Sequence, residues 1–297
     1  MERTSSGTEE DHGRGAARRA RVVVDGDMAP TSYLMGAVQM TSTADRKKNL
    51  DAALRLVSDA AGLGAKLVGL PENFAFMGRE EERISGAETL EGPTVSALRD
   101  VARKLDVYVL AGSIAEKVDV PGKTANTSVL VADDGSVVAS YRKIHLFDVN
   151  IPDGARYAES ETVVAGDKAV VAPTPLGRIG LTVCYDLRFP ELYRALATLG
   201  AEMLCIPSAF TLFTGKDHWE VLVRARAIEN LAYVMAPAQV GRHSSTRVTF
   251  GNAMIVDPWG VVLARCPDGE GVCVAPFRRE RLEQVRRELP SLEHRKL

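Results

Sequence analysis

The chain has 297 residues, of which 45% are hydrophobic and 26% are charged, and its formal net charge is −2. This near-balance of charge is atypical of proteins that bind nucleic acid, and no apolar run is long enough to cross a membrane. The 4 cysteines show no CxxC spacing, which disfavours a disulfide scaffold or a zinc site and predicts a reducing, cytoplasmic location. We therefore expect a globular protein that has neither nucleic acid nor a membrane as a partner.

Residues 1–31 are polar and carry a basic cluster at Arg18, Arg19 and Arg21. The acidic run at 9–11 argues against a transit peptide. We predict a disordered tail over 1–31 and one domain over 32–297, because no Pro/Gly/Ser-rich linker interrupts the remainder of the chain.

After the tail, predicted strands alternate with predicted helices. Apolar runs and alternation predict strands at 33–40, 66–70, 107–114, 126–132, 137–141, 179–183, 203–206, 233–240, 251–256, 261–265 and 271–274. Helical spacing of apolar residues predicts helices at 45–61, 93–105, 190–199, 216–231 and 278–289. The segment 144–162 is mostly irregular, which is long for a loop and indicates a functional role. Signals for both parallel strands and hairpins predict an α/β domain with helices covering its sheets.

Cys184 directly follows one of the predicted strands, and a helical pattern begins at Pro190. A cysteine at such a strand-to-helix turn lies near backbone N–H groups, which favour a thiolate and can bind an oxyanion. The alternative is a core thiol, because free cysteines are often small buried hydrophobes. The polar run of Tyr185, Asp186 and Arg188 favours a nucleophile.

Two charged residues follow other predicted strands. Glu72 comes directly after the apolar strand at 66–70, and catalytic groups in α/β folds collect at the carboxyl ends of strands. Lys143 follows a strand and lies among aromatic residues, where burial would require a charge partner such as Glu72 or Glu159. The alternatives are an ordinary surface glutamate and a solvated lysine.

Histidine is the usual partner of a nucleophilic cysteine, so a papain-like arrangement is a further alternative. Of the 5 histidines, His145, His218 and His243 lie away from the chain ends, but spacing pairs none of them with Cys184. The other cysteines are predicted to be core or structural thiols: Cys205, Cys266 and Cys273.

Three sequence blocks carry a family resemblance: GLPENF around Glu72, YRKIHLFDV around Lys143 and GLTVCYDLRFPELYR around Cys184. Their order and separation resemble those of the carbon–nitrogen hydrolase (nitrilase) superfamily, whose members use a Glu–Lys–Cys triad. A further glutamate between the lysine and the cysteine is typical of that family, and Glu159 matches its position. The resemblance runs from Leu34 to the C-terminus and implies a four-layer α-β-β-α sandwich of the α/β class. It also implies a homodimer or higher homo-oligomer and no metal or cofactor.

The resemblance implies a chemistry for these residues. Glu72 would accept the proton of Cys184, and the thiolate would attack a primary carboxamide. The ammonium of Lys143 and the backbone N–H of Tyr185 would stabilise the oxyanion. Water would then cleave the thioester, so that the products are a carboxylate and ammonia. Glu159 is expected to position Lys143 or the water.

The substrate is expected to be a small amide that carries a carboxylate, and Arg188 is the candidate to bind that carboxylate. The alternative is that Arg188 pairs with Asp186 or Glu191 and only holds the turn together. Phe210 and Thr211 are expected to line the pocket.

Two later blocks, IPSAFTLFTGKDHWEVLVRARAIEN and GNAMIVDPWG, are most similar to the branch of the superfamily whose amidases act on deaminated glutathione. That branch implies a role in metabolite repair. Omega-amidase action or hydrolysis of an N-carbamoyl amino acid is the alternative within the same chemistry. A non-catalytic interaction protein of the same fold is the alternative outside it, and the intact set of Glu72, Lys143, Glu159 and Cys184 argues against it.

Overall fold

The computed structural model describes Met1, residues 30–150 and residues 156–296. The predicted tail at 1–31 lies almost entirely outside the described residues and stays a prediction. Within the described residues, two β-sheets pack face to face and helices cover their outer faces. The four-layer α-β-β-α sandwich is therefore confirmed. No helix in these ranges is both long and apolar enough to cross a membrane.

The helices and strands follow one another along the chain with mostly short connections. In chain order they are β1 (Ser32–Met40), α1 (Arg46–Gly62), β2 (Ala65–Gly69), α2 (Glu80–Ser85), α3 (Pro93–Leu105), β3 (Tyr108–Lys117), β4 (Thr124–Val131), β5 (Val137–Arg142), β6 (Asp148–Asn150), β7 (Arg156–Ala158), β8 (Val170–Thr174), β9 (Gly177–Leu181), α4 (Pro190–Thr198), β10 (Met203–Cys205), α5 (Leu212–Asn230), β11 (Tyr233–Ala236), β12 (Ala238–Arg242), β13 (Val248–Phe250), β14 (Met254–Val256), β15 (Val262–Arg265), β16 (Gly271–Arg278) and α6 (Arg279–Glu288). Short 3₁₀ turns cover Glu159–Glu161 and Cys184–Arg188.

The first sheet has 8 strands in the order β13-β12-β1-β2-β3-β4-β5, with β16 also paired to β1. The second has 6 strands in the order β15-β14-β11-β10-β9-β8, and β6 and β7 form a separate hairpin. In the first sheet β1, β2 and β3 are parallel neighbours. In the second sheet β9, β10 and β11 are parallel neighbours. Their carboxyl ends therefore meet at one edge of each sheet, which is where α/β folds carry their sites.

Successive side chains of the strands point to opposite faces of each sheet and so contribute to two different apolar cores. Leu67 and Leu110 belong to the core between the sheets, whereas their neighbours Val68 and Val109 pack in the core under α1 and α3. The second sheet is covered by α4 and α5, and Trp219 of α5 is fully buried there. Burial on both faces explains why these strands read as apolar runs.

Local sequence explains where the helices begin. Asp45 precedes α1, and its side chain accepts the N–H of Lys48 at 3.0 Å, which is an N-cap bond. Thr211 has the same role for α5, which therefore begins four residues before the predicted start at 216. Pro93 and Pro190 occupy the first helical positions of α3 and α4, where a missing N–H costs nothing.

The predicted single strand at 233–240 is wrong. β11 and β12 are separate strands that belong to different sheets, and Pro237 lies between them. Proline has no N–H for a strand ladder, so the pairing ends there and the chain passes from the second sheet to the first. The short elements α2 and β8 were not predicted, and β16 continues beyond the predicted end at 274, because it pairs with β1 along its length.

Gly112 in β3 makes a close approach that determines where Glu72 lies. A Cβ at this position would overlap the backbone carbonyls of Leu70 and Pro71. We predict that Gly112→Ala lowers the free energy of unfolding by about 2 kcal/mol, because the backbone before Glu72 must move. Urea unfolding measures this change. Gly62→Ala is the matched control, because a Cβ at Gly62 meets no atom within 4 Å. Equal stability of the two variants would contradict the prediction.

Candidate active site

The ends of three strands bring the predicted catalytic residues together. β2 and β5 of the first sheet end shortly before Glu72 and Lys143, and β9 of the second sheet ends shortly before Cys184. These three side chains and Glu159 line one cavity of about 480 Å³, a size typical of small-molecule sites. The site therefore draws on both sheets of the sandwich.

Lys143 is a buried cation with 2% of its side chain exposed. Its Nζ donates to Glu72 Oε1 at 2.9 Å and to Glu159 Oε2 at 2.8 Å. Burial alone disfavours the ammonium, but the carboxylates of Glu159 and Glu72 outweigh it and raise the pKa of Lys143 above its ordinary value. The side chain is therefore positively charged at neutral pH, as binding of an oxyanion requires.

Glu72 is buried and held by fixed donors on both carboxylate oxygens. Oε1 accepts from Lys143 and from Asn126 Nδ2, the latter at 3.0 Å, and Oε2 accepts the backbone N–H of Ala209 at 3.1 Å. The carboxylate lines the same cavity as the thiol of Cys184, and its negative charge raises the pKa of that thiol. Glu72 is thus within reach of the proton that a nucleophilic cysteine must lose.

Glu159 supports the lysine from the other side. Its Oε2 accepts the N–H of Phe147 at 2.7 Å in addition to the Lys143 bond, and its Oε1 accepts from Asn126 Nδ2 at 3.0 Å. Burial alone would raise the pKa of Glu159, but the charge of Lys143 and these hydrogen bonds hold it below its usual range. Glu159 is therefore ionised at neutral pH.

Cys184 lies at a strained turn. Its φ is +48°, in the left-handed region that favours glycine, and its N–H donates to the carbonyl of Pro207 at 2.9 Å. Strain of this kind clusters at functional sites and persists only where surrounding contacts enforce it. A 3₁₀ turn follows directly, so α4 begins at Pro190 rather than at the cysteine.

The expectation that the turn favours a thiolate is wrong for the free protein. Burial raises the pKa of Cys184 well above its usual value, and the negative charge of Glu72 raises it further, while Lys143 lowers it only in part. The resting group is therefore a thiol, and its activation requires transfer of the proton to a base.

Asp186 holds the turn in place from beneath. It is fully buried and accepts from the hydroxyl of Tyr141 at 2.7 Å, from the N–H of Val183 at 2.8 Å and from the N–H of His145 at 3.1 Å. The ring Nδ1 of His145 lies 2.7 Å from the same carboxylate. These bonds connect the segment that carries Lys143 to the turn that carries the cysteine.

The histidine alternative finds no support in the described part of the chain. His145, His218 and His243 all hydrogen-bond to groups other than the cysteine. The charged side chains that act on the pKa of the Cys184 thiol are Glu72 and Lys143.

The residues predicted to bind substrate line the same cavity as the cysteine: Tyr185, Arg188, Phe210 and Thr211. The guanidinium carbon of Arg188 lies 5.1 Å from the ring centroid of Phe210 and 6.0 Å from that of Tyr185. Its planar group therefore rests on aromatic faces and stays directed into the cavity.

Arg188 does not form the ion pair that was its alternative role. The carboxylate of Asp186 is used by the bonds described above, and no ion pair with Glu191 is present among the described residues. Arg188 Nη1 lies 3.2 Å from Nδ1 of His218. When this nitrogen accepts the hydrogen bond, it does not neutralise the charge of Arg188. The guanidinium is therefore left without a counterion from residues 30–150 and 156–296.

Sequence reasoning missed two residues that support this site, Asn126 and Arg226. Asn126 joins the two glutamates, and Arg226 of α5 donates through Nη2 to the carbonyl of Leu187 at 2.7 Å. Asn126 lies in a strand otherwise rich in small and apolar side chains, and that contrast was the available signal. Arg226 had no local signal, because Leu187 is distant along the chain. Asp186 was noted as part of a polar run, but its bonds to Tyr141 and His145 were not predicted.

Comparisons with known proteins show which family and which relatives the chain is similar to. The model of the carbon–nitrogen hydrolase family matches residues 34–287. Deaminated glutathione amidase of Synechocystis sp. is 50% identical over 266 residues, which are 89% of this chain and 98% of that protein. Deaminated glutathione amidase of Homo sapiens is 45% identical over 269 residues, 89% of this chain and 82% of that protein. The crystal structure of the C. elegans NitFhit protein has a TM-score of 0.86 and 39% identity, and the match covers 91% of this chain and 66% of that one.

Asn126 donates to both Glu72 and Glu159, so replacing its amide by a carboxyl group tests the electrostatics of the site. We predict that Asn126→Asp destabilises the protein by about 3 kcal/mol at neutral to alkaline pH, because it buries a third carboxylate against Glu72 and Glu159. That new carboxyl would bind a proton more readily in the folded than in the unfolded state. Stability relative to the parent should then fall as the pH rises from about 5 to about 8, which urea unfolding measures.

Ser128→Ala is the control for this prediction. Ser128 lies on the same strand, and its buried hydroxyl has no hydrogen-bond partner in the described structure. Its removal should leave stability nearly unchanged at every pH. A deficit of Asn126→Asp that is the same at both pH values would contradict the electrostatic explanation.

Proposed function

Because the chain belongs to the carbon–nitrogen hydrolase family, whose members hydrolyse carbon–nitrogen bonds other than peptide bonds, we propose that it is a cysteine-dependent amidase of deaminated glutathione. The observation that carries the proposal is that Cys184 and the buried Glu72–Lys143 pair line one cavity, where both charges act on the thiol. The substrate is supported by relatives of that name at 45% and 50% identity.

In the first step Glu72 takes the proton of Cys184, and the thiolate attacks the carbonyl carbon of the amide. The negative charge that develops on the carbonyl oxygen is bound by the ammonium of Lys143 and by the backbone N–H of Tyr185. A single donor of this kind in a water-excluded site contributes about 3 kcal/mol to catalysis. The protonated Glu72 then gives its proton to the departing amine, and the acyl group remains on the sulfur as a thioester.

In the second step Glu72 accepts a proton from water, and the hydroxide formed attacks the thioester. The tetrahedral oxyanion is bound by the same two donors, and its collapse breaks the carbon–sulfur bond. Glu72 returns its proton to the sulfur of Cys184, and the carboxylic acid product loses its own proton to solvent and leaves as a carboxylate. Glu159 keeps Lys143 charged and fixed throughout, because it accepts from Nζ at 2.8 Å. The fixed ammonium and the carboxylate together replace the histidine of other cysteine hydrolases.

Arg188 is the proposed partner of a carboxylate on the acyl part of the substrate. Its guanidinium lies on the aromatic rings of Phe210 and Tyr185 in the same cavity as the cysteine. Planar guanidinium groups bind carboxylates through two parallel hydrogen bonds, and burial against rings strengthens that attraction. Thr211 would contribute its hydroxyl to the same wall.

The released group distinguishes the possible substrates. Glutathione contains secondary amides and no primary carboxamide, so cleavage of the amide of its deaminated glutamyl unit releases cysteinylglycine, an amine. The primary carboxamide and the ammonia expected from the sequence fit alpha-ketoglutaramate, and they do not fit deaminated glutathione, whose product is this amine. Omega-amidase action on alpha-ketoglutaramate, or hydrolysis of an N-carbamoyl amino acid, is the alternative function.

Location and domain extent belong to the same proposal. A reduced Cys184 is essential to this chemistry, and the other cysteines in the structure are also free thiols. A reducing compartment, the cytoplasm, is the environment that keeps them so. We retain residues 32–297 as one catalytic domain.

We also propose that the protein is a homodimer. Val221 and Ile228 of α5 are 67% and 44% exposed, and Trp259 and Val261 in the β14–β15 turn are 51% and 49% exposed. The turn packs beside the helix, because Arg224 Nε donates to the carbonyl of Gly260 at 2.8 Å. Apolar side chains gathered in this way indicate a protein–protein interface, and a second copy of the chain is the occupant that fits the predicted homo-oligomer.

The substrate is tested by quantifying amine and ammonia release from deaminated glutathione, alpha-ketoglutaramate and an N-carbamoyl amino acid. We predict cysteinylglycine release from deaminated glutathione as the fastest reaction, and its complete loss in Cys184→Ala. Cys205→Ala is the control, because it removes a buried thiol of β10 that does not line the cavity. A faster Cys184-dependent reaction of another substrate would replace the proposed one, and no Cys184-dependent reaction at all would contradict the proposed function.

The dimer is tested by light scattering coupled to gel filtration. Val221→Glu should shift the protein from dimer to monomer, because it places a charge within the apolar patch. Leu63→Glu is the control, since Leu63 is 60% exposed at the end of α1, in the opposite outer layer. A monomeric parent protein, or a dimer unaffected by Val221→Glu, would contradict this arrangement.

A further inference from the structure

The cavity is lined by several cations, and most of them already have a counterion. Lys143 is neutralised by the two glutamates described above. Arg83 pairs with Glu80 at 2.7 Å, and Arg156 pairs with Glu161 at 2.7 Å. These groups have no free charge to offer a ligand.

Arg188 and Arg247 are different. Both line the cavity, both are half-buried, and neither has a carboxylate partner within residues 30–150 and 156–296. Arg247 also donates no side-chain hydrogen bond to another described residue. Keeping a half-buried guanidinium charged without a counterion costs free energy, and an anionic ligand would supply the missing counterion.

Arg247 is carried by a well-fixed turn between β12 and β13. Its carbonyl accepts the N–H of His243 at 2.9 Å, and its own N–H donates to Ser244 Oγ at 3.0 Å. The ring of His243 is fixed in turn, because Nδ1 lies 2.7 Å from the carbonyl of Ser42 and Nε2 lies 2.7 Å from Thr249 Oγ1. Burial lowers the pKa of His243 to about 4, so at neutral pH His243 adds no charge to the turn, and Arg247 is the cation of the turn that lines the cavity.

The same turn is tied to the wall of the active site. The N–H of Phe250 donates to the carbonyl of Phe210 at 2.9 Å, and Thr249 forms a bridge with Thr211. Arg247 lies two residues before Thr249 and lines the same cavity, whereas Arg188 belongs to the turn that begins at Cys184. The two guanidinium groups therefore line one cavity from two different segments, and only that of Arg188 comes from the turn that carries Cys184.

A carboxylate without an ion-pair partner among the described residues also lines the cavity. Glu81 of α2 is one of its exposed lining residues. It would repel a substrate carboxylate that lay beside it. The charges of the lining therefore favour a substrate carboxylate near Arg247 over one near Glu81.

We propose that Arg247 binds a second carboxylate of the substrate, one carried by the leaving amine, and so selects amides with an anionic leaving group. This inference rests on the proposed function, in which Arg188 binds the carboxylate of the acyl part. Deaminated glutathione carries both carboxylates, the second on its terminal glycine. Alpha-ketoglutaramate, whose leaving group is ammonia, carries only the first.

The test compares these two substrates in Arg247→Gln. We expect kcat/KM for deaminated glutathione to fall at least about tenfold, mainly through a higher KM, because a charge-assisted bond is lost in both the ground state and the transition state. The value for alpha-ketoglutaramate should not change. Arg247→Lys should restore part of the loss, since it keeps the charge but not the planar group.

Two controls make the result specific. Arg242→Gln removes an exposed cation of the same hairpin that does not line the cavity, and it should leave both substrates unaffected. Deaminated glutathione with its glycine carboxylate converted to an amide should be hydrolysed equally by the parent and by Arg247→Gln. An equal loss for both substrates, or no loss for deaminated glutathione, would overturn the proposal.

A binding measurement separates this proposal from the proposed function. In the Cys184→Ala background, calorimetry with intact deaminated glutathione reports affinity without turnover, and Arg247→Gln should weaken it by a similar factor. If binding depends on Arg247 but the parent protein with Cys184 intact does not hydrolyse deaminated glutathione, the proposed function is refuted and the proposed subsite stands. Binding that is independent of Arg247 would refute the subsite, whatever the turnover.

Discussion

The rest of the site depends on the burial of one ammonium group between two carboxylates. An isolated charge in such a place would cost several kcal/mol, and removing one partner of a buried pair is strongly destabilising. Lys143 avoids this cost through Glu72 and Glu159, and Asn126 fixes both glutamates through a single amide group. The arrangement leaves a permanent positive charge beside a neutral thiol and a carboxylate that can accept its proton.

The fold explains how such a group can be assembled from distant parts of the chain. The strands that precede the glutamate and the lysine belong to one sheet, and the strand that precedes the cysteine belongs to the other. Packing the sheets face to face brings their ends together. The buried Asp186 then links the turn at Cys184 to the segment around Lys143 through Tyr141 and His145, so that the strained backbone of the nucleophile is held from beneath.

The position of the candidate site was largely predictable, because Glu72, Lys143 and Cys184 each lie within three residues of the end of a strand. Periodicity predicts those strands, and Glu72, Lys143 and Cys184 are visible as polar residues at their ends. Periodicity does not predict which strands share a sheet, and this is why the passage at Pro237 was read as one continuous strand.

The protonation and charge pairing of the site could not be predicted from local sequence either. The thiol form of Cys184 follows from burial and from Glu72, which is distant along the chain. Asn126 matters through two contacts that only the folded protein creates. The free guanidinium of Arg247 is recognisable only when the partners of the other cavity cations are known.

The central claim is that Cys184 carries the acyl group of the substrate during turnover. The most direct measurement is rapid acid quenching of the enzyme with deaminated glutathione, followed by mass spectrometry of the peptide that contains Cys184. We predict a mass increase equal to the acyl part of the substrate on that cysteine, and its absence after the cysteine has been alkylated. Continued hydrolysis by the alkylated protein, with no acyl group on any cysteine, would contradict the account.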